Sequence, residues 1–405
     1  RTGGYRVYTS LDPAVQEAAQ QVITEWDDYP GMRYSNDRTT RASLGGGEYL
    51  TVVQPQAAAA VMNYHTGELV AIVGGREEPV QKLQFNRAYQ NNMPVGSSIK
   101  PLSVYGPAFD LGNSPGTPVL NLPIPILNWQ SENGYPNNYG GGDFTGSESM
   151  RYAMNRSHNT AAAQALMTLV GVDNSVAFLH AMGIDDAHID ATPFGLSLGS
   201  SGITPLEMAV CYGVLANGGV YQAPISVLGI SDSEGNVVWD GHANQTRRRV
   251  FSESTAWLTV DILKDAVSSG TGTSAKISGQ TVAGKTGTNS DQKGVFFAGM
   301  TGYYSSALWV GHDNYKALAS SSTGSSAAAP LWQAYMKKIH TGLENRDILD
   351  GDPSQYGLVK ATTCAVSGQL ATDACANDAK GYGVVTDWWA SGTVPTTYCQ
   401  MHVNQ

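Results

Sequence analysis

Three short groups of residues carry hydroxyls and amines at spacings that suit acyl transfer. In chain order they are Ser97-Ser98-Ile99-Lys100, Ser157-His158-Asn159 and Lys285-Thr286-Gly287-Thr288. A serine hydroxyl becomes a nucleophile only when a neighbour takes its proton. On a helix, residues three apart share a face, so Lys100 is expected to stand over Ser97 and reach its oxygen. To accept a proton Lys100 must be neutral, which needs burial and a second cation nearby, here Lys285. A helix that starts near Ser97 would also offer a dipole and a backbone N–H to a developing oxyanion.

The third group reads as the opposite wall. A strand carrying Lys285 can hold an extended peptide in β-fashion. Thr286 and Thr288 can bind a terminal carboxylate beside the lysine, and the Thr288 N–H is the natural second oxyanion donor. Gly287 is expected to let the substrate approach the strand closely. Ser157 can relay a proton between the lysines and a leaving amine, and the Asn159 amide can grip a substrate amide. His158, between two inward residues, is expected to point elsewhere.

Two decoys compete. Residues 279–286 satisfy the phosphate-loop pattern G-x-x-x-x-G-K-[ST]. That pattern works only when a helix follows the lysine. Here "GTNSDQKGVFFAGMTGYYSSALWVG" follows, and it reads as strand, loop, strand, turn, strand. Gly195-Leu196-Ser197-Leu198-Gly199 fits the nucleophile-elbow pattern. It lacks the preceding strand and the immediate helix, so Ser197 is read as structural.

The elements that must position these groups are legible in outline. "LDPAVQEAAQQVITEW" is helical, with Asp12 as N-cap and Pro13 in first position. "QAAAAVMNYHTGELVAIVGG" reads as a hairpin, and "SVLGISDSEGNVVWDG" as another. "TPLEMAVCYGVLANGG" is a helix with a Thr204/Glu207 capping box. Residues 115–145 read as an irregular excursion rich in Pro, Asn, Gly and Tyr. The whole is α+β, with helices covering an antiparallel sheet. Residues 1–50 are expected to be an N-terminal connector, 51–345 the catalytic domain and 346–405 a cysteine-containing extension.

Bulk properties narrow the class. The chain of 405 residues has a net charge of −10 and only 14% charged residues, against about 25% in average proteins. That balance argues against nucleic-acid binding. No apolar run reaches the length of a membrane span, and no signal peptide is visible. The start at Arg1 is expected to mark a piece of a longer protein. Cys211 sits in an apolar helix and reads as a buried thiol. Cys364, Cys375 and Cys399 cluster near the end. A Cys375–Cys399 disulfide and no metal is the expectation, with a Cys/His metal site as the rival because of the Cys399-x-x-His402 spacing.

The ordered triplet is the one shared by penicillin-binding proteins and class A β-lactamases. With "YRVYTSLDPAVQEAA", "FNRAYQNNMPVGSSIKPL", "SLGSSGITPLEMAVCYGVLANGGVYQAP", "VAGKTGT" and "FFAGMTGYYSSALWVG", the chain resembles the transpeptidase portion of a class A (bifunctional) penicillin-binding protein. The likeness runs from Tyr5 to about Gly311, and the tail is similar to an extension some members carry. The resemblance implies the penicillin-binding/β-lactamase-like fold, a five-stranded antiparallel sheet flanked by helices. It implies D,D-transpeptidation of peptidoglycan stem peptides without a cofactor, and covalent capture of β-lactams on Ser97. Lys100 would be the base, Ser157 and Asn159 the second motif, and Lys285, Thr286 and Thr288 the third. It further implies a parent protein with a glycosyltransferase domain and a membrane anchor, working in the cell-wall space. His158 departs from the aliphatic residue expected there.

Hydrolases and a β-lactam sensor on the same scaffold are the rival readings. A β-lactamase of class A needs a glutamate in an E-x-x-L-N setting between the second and third motifs. Glu207, Glu234 and Glu253 are followed by "MAV", "GNV" and "STA", so slow deacylation by water is expected. A D,D-carboxypeptidase differs only in its acceptor.

Overall fold

The computed structural model describes residues 3–129, 131–141 and 144–402. Its centre is a five-stranded antiparallel sheet. In chain order the strands are β1 (Gln56–Asn63), β2 (Glu68–Val73), β3 (Ala283–Thr288), β4 (Gly294–Met300) and β5 (Ser305–Gly311). Their spatial order is β3-β4-β5-β1-β2. The strand that carries Lys285 is therefore an edge, with one row of backbone groups not engaged by a neighbouring strand of the sheet.

Alternation assigns the two faces. Ala58, Ala60, Met62, Phe296, Ala298, Met300, Ala307 and Trp309 point into one apolar cluster. Ala57, Ala59, Val61, Val295, Phe297, Leu308 and Val310 point into the other. Successive side chains of a strand lie on opposite faces, so strands covered on both sides read as continuous apolar runs. The alanines of β1 let helices approach closely from either side.

Six helices matter for the site. They are α1 (Pro13–Glu25), α2 (Met150–Arg156), α3 (Asn159–Ala165), α4 (Pro205–Ala216), α5 (Glu253–Ser268) and α6 (Ala329–Ile339). Helix α1 starts as its sequence predicts, with the Asp12 carboxylate accepting from Ala14 N and Val15 N. Its Val15, Ala19 and Ile23 pack with Leu331, Trp332 and Tyr335 of α6. Residues of the segment expected to be a connector thus contribute to this layer. Helix α4 closes its capping box between Thr204 and Glu207 and lies buried in the other cluster.

Both expected hairpins form, Gln56–Asn63 with Glu68–Val73 and Val227–Ser231 with Val237–Asp240. Strand Arg6–Thr9 joins the second one. A hairpin over Thr39–Gly45 and Glu48–Val53 was not legible. Most of its residues are exposed on both faces, so no apolar alternation marks it.

Two strands of the C-terminal region, β6 (Leu358–Cys364) and β7 (Val384–Ala390), pair antiparallel. Asp387 of β7 meets Arg151 of α2 at 2.6 Å. The expected Cys375–Cys399 disulfide is not formed: both thiols are free and buried, as are Cys211 and Cys364. Three sulfurs share one small space there. Among the described residues no single helix is long and apolar enough to cross a membrane.

Candidate active site

Ser97 lies in a 3₁₀ turn, Gly96–Ile99. The turn runs on through a π turn, Pro101–Tyr105, into the helix Gly106–Asp110. Residues three apart eclipse in a 3₁₀ turn, so Ser97 and Lys100 share one face as expected. The turn is pinned to the sheet by close backbone approach. Gly96 has φ +59, and a Cβ there would lie 2.6 Å from the Thr288 carbonyl oxygen and 2.7 Å from its nitrogen. Any side chain at Gly96 would push β3 away from Ser97, so this glycine sets the distance between the two walls.

Gly287 also has a role, but not the expected one. A Cβ on it would lie 2.1 Å from the Val95 carbonyl oxygen and 3.0 Å from Ser98 Oγ. The close approach at Gly287 is made by the turn before Ser97, not by open groove. Gly324 also packs close, its own added Cβ falling 2.6 Å from the Gly287 oxygen.

The second group sits where α2 ends and α3 begins. Ser157 takes the left-handed conformation, φ 60 and ψ 35, as the C-cap of α2. A non-glycine residue held there is strained and turns its hydroxyl abruptly. His158 caps α3 and Asn159 opens it. Lys100 Nζ donates to Ser157 O at 2.9 Å, His158 O at 3.3 Å and Asn159 Oδ1 at 2.7 Å, with Ser157 Oγ at 3.5 Å. Lys285 Nζ donates to Ser157 Oγ at 2.8 Å and to Thr286 O at 3.1 Å. The three sequence groups therefore converge on Ser157.

Both lysines are fully buried, and among the described residues neither forms an ion pair. Burial pushes Lys100 well below the usual lysine range, and the neighbouring Lys285 charge pushes it further. Burial alone lowers Lys285 to about 7. A low-dielectric site penalises the ammonium form when no carboxylate offsets it. Lys100 is the amine suited to be a proton acceptor at neutral pH, while Lys285 stands at its titration point.

One expectation differs in detail. Ser97 is half-buried, and its hydroxyl has no hydrogen-bond partner among the described residues; Lys100 instead braces the 157–159 turn. Nucleophile–base contacts often tighten only once substrate is present. Thr288 Oγ1 accepts from Gly324 N at 2.9 Å, so its proton stays available. Thr286 Oγ1 donates to Thr271 Oγ1 at 3.0 Å, a partner the sequence did not suggest.

The irregular stretch 115–145 supplies support that sequence reasoning missed. Asn138 Oδ1 accepts from Asn159 N at 2.7 Å and Thr160 N at 3.2 Å. Asn159 Nδ2 donates to Asn137 O at 2.8 Å. His158 turns away from the lysines, as expected, and meets the buried Glu148 at 2.7 Å. The elbow decoy is explained too. Ser197 Oγ is buried and donates to Pro193 O at 2.5 Å, while Gly199 O accepts from Gly96 N at 2.9 Å. That segment buttresses the Ser97 turn. The lysine of the phosphate-loop pattern lies within strand β3, not at a helix start.

Comparison with known proteins agrees with this geometry. The family model of the penicillin binding protein transpeptidase domain matches residues 57–337, and that of the penicillin-binding protein 1A C-terminal domain matches residues 355–404. Penicillin-binding protein 1A of Clostridium perfringens (strain ATCC 13124) is 33% identical over 416 residues, covering 99% of this chain and 48% of that protein. Its counterpart in Clostridium botulinum (strain Langeland) is 34% identical over 410 residues, covering 99% and 47%. The chain thus spans about half the length of these curated relatives. Among solved structures, penicillin-binding protein 1A from Haemophilus influenzae superposes with a TM-score of 0.77 at 23% identity, covering 98% of this chain and 73% of that one. The penicillin G acyl-enzyme of penicillin-binding protein A from M. tuberculosis gives 0.63 at 20% identity, covering 83% and 81%. The transpeptidase model covers more than half of the chain, and the chain belongs to the penicillin-binding protein transpeptidase domains.

Proposed function

We propose that the chain cross-links peptidoglycan stem peptides as a D,D-transpeptidase and that Ser97 is the residue acylated. The observation that carries this reading is the pair of buried lysines without counter-ions among the described residues, both meeting the Ser157 hydroxyl. Neutral Lys100 takes the Ser97 proton as Oγ attacks the carbonyl of the penultimate D-alanine. The oxyanion is held by the Ser97 and Thr288 N–H groups. When the C–N bond breaks, Lys100 returns the proton through Ser157 to the departing D-alanine amine. The donor lies along the free edge of β3 as an added strand, its terminal carboxylate against Lys285 and the Thr288 hydroxyl. An acceptor amine then attacks the ester and gives a proton to Lys100; the C–O bond breaks, and Lys100 returns that proton to the departing Ser97 Oγ.

A β-lactam enters the same path, and its opened ring stays attached, so no amine leaves. Slow hydrolysis is supported by how the glutamates are used. Glu207 caps α4 and binds His188 at 2.7 Å, and Glu253 pairs with Arg249 at 3.4 Å. The cell-wall space and a longer, membrane-anchored parent with glycosyltransferase activity belong to the same proposal; the chain spans about half the length of the curated relatives.

The test is intact-mass spectrometry after benzylpenicillin, with peptide mapping. A lasting adduct of one drug mass on the Ser97 peptide, absent in Ser97→Ala, together with amide formation on a stem-peptide mimic and amine, is the expected result. Adduct without any turnover would identify a sensor instead. Rapid loss of drug without adduct would identify a β-lactamase.

A further inference from the structure

The C-terminal region holds a second cluster of reactive side chains. Cys364 ends β6, Cys375 lies in the short helix Asp373–Ala376, and Cys399 follows a bridge between Leu370 and Tyr398. His402 follows three residues later. The three sulfurs and one imidazole nitrogen all lie within 4.8 Å of one another. His402 Nδ1 is 3.4 Å from Cys364 Sγ and 3.5 Å from Cys399 Sγ. A tetrahedral zinc with bonds of about 2.3 Å to sulfur and about 2.0 Å to nitrogen separates sulfur from nitrogen by about 3.5 Å. The two distances from His402 Nδ1 to Cys364 Sγ and Cys399 Sγ match that length.

Independent features point at the same centre. Backbone N–H groups of Val366 and Ser367 donate to Cys364 Sγ at 3.4 Å, and that of Thr372 to Cys375 Sγ at 3.4 Å. Amides aimed at sulfur favour thiolate, the form that binds metals. The outward nitrogen of His402, Nε2, faces Asp378 Oδ1 at 3.5 Å. Asp378 is fixed by Tyr382 N at 3.0 Å. A carboxylate behind the imidazole sets its tautomer and turns the other nitrogen inward, as ligating histidines are usually arranged. The apolar cluster here consists of the three cysteines with only Val366 and Ala371 packed against it. So small a core calls for a covalent or metal crosslink.

We propose that Cys364, Cys375, Cys399 and His402 bind one Zn²⁺ as a closed, structural site that staples the C-terminal region. Thiolates suit zinc, and four protein ligands leave no open position for catalysis. Three thiols give up three protons as one Zn²⁺ binds, leaving the centre with one net negative charge.

The test uses the whole chain, purified under reducing conditions and given one equivalent of Zn²⁺. Native mass spectrometry with elemental analysis is expected to show one zinc per chain and three protons lost. Co²⁺ in its place should give the intense visible bands of a tetrahedral thiolate site. Asp378→Asn keeps all four ligands and should weaken zinc by about 10–100-fold. Cys211→Ser should change nothing. Failure to retain zinc, zinc retention unaffected by both Asp378→Asn and Cys399→Ser, or a Cys375–Cys399 disulfide in the native protein's peptide map would each overturn the proposal.

Discussion

Two cationic centres in this molecule, one fully buried and one partly exposed, are built in opposite ways. In the cleft, Lys100 and Lys285 are fully buried and share hydroxyl and carbonyl partners only. Some residues away, Arg151 of α2 is surrounded by three carboxylates. It meets Asp387 of β7 at 2.6 Å, Asp261 of α5 at 2.7 Å, and Asp265 of α5. Burial disfavours the guanidinium charge there, but Asp387 and Asp261 hold it on and push its pKa upward. Three acids against one cation leave a surplus, and burial also raises Asp261. Both centres are costly to desolvate. Withholding counter-ions keeps an amine neutral and reactive; supplying them makes an inert clamp between the catalytic domain and the C-terminal strands.

Removing a lysine should break the comparison most severely. Lys100→Met is expected to slow acylation by benzylpenicillin about 10²–10⁴-fold, with the protein still folded by circular dichroism. Near-normal acylation in that variant would remove Lys100 from the role of base.

Arg151→Met should behave inversely. It leaves three acids facing each other, and a loss of about 2 kcal/mol is expected. That figure is reduced because the Arg151 side chain is 23% exposed and solvent screens part of the effect. Urea unfolding would read it, and acylation per folded molecule should stay within about twofold. A larger drop in acylation than in stability would mean that the clamp reaches the cleft.

The wild-type pH profile sharpens the contrast. Lys285 carries its charge below about 7 and loses it above, so acylation by an anionic β-lactam should fall toward tenfold per pH unit on the alkaline side. A rate flat to pH 9 would argue against Lys285 as the carboxylate partner. The sign for stability is opposite. The folded lysines titrate below the unfolded value of about 10.4, so the unfolded chain binds more protons in between and stability climbs from pH 7 toward 10.

A milder loss of acylation than at Lys100 is expected at Asn138→Ala. Losing the acceptor for Asn159 N and Thr160 N should slow acylation severalfold, with a stability loss of about 1–3 kcal/mol. Equal losses in acylation of benzylpenicillin and of a minimal thioester would show that Asn138 acts on Asn159 alignment and not on drug recognition.

Most of the cleft was legible because its chemistry is local in sequence. A serine and a lysine three apart need only a helical turn to share a face, and Lys285 needs only a strand. Glu207 and Thr204 likewise cap α4 through a local pattern. The supports were not legible: Asn138, Glu148, Thr271 and Gly324 reach their partners across stretches with no periodicity. The use of Gly287 was misread because only packing tells whether a glycine admits a ligand or the chain's own backbone. The cysteines left two readings open, since spacing cannot tell a disulfide from a metal centre.

The sequence by itself determined the reacting groups, their order and the kind of element each rides on, because side-chain type and short-range backbone geometry are encoded locally. Only the tertiary structure decided that both lysines lose their water without gaining a carboxylate, that Arg151 gains three, and that three distant sulfurs and one imidazole meet. Burial and counter-charge come from segments far apart in the chain, and they, more than residue identity, determine whether a cation reacts or holds.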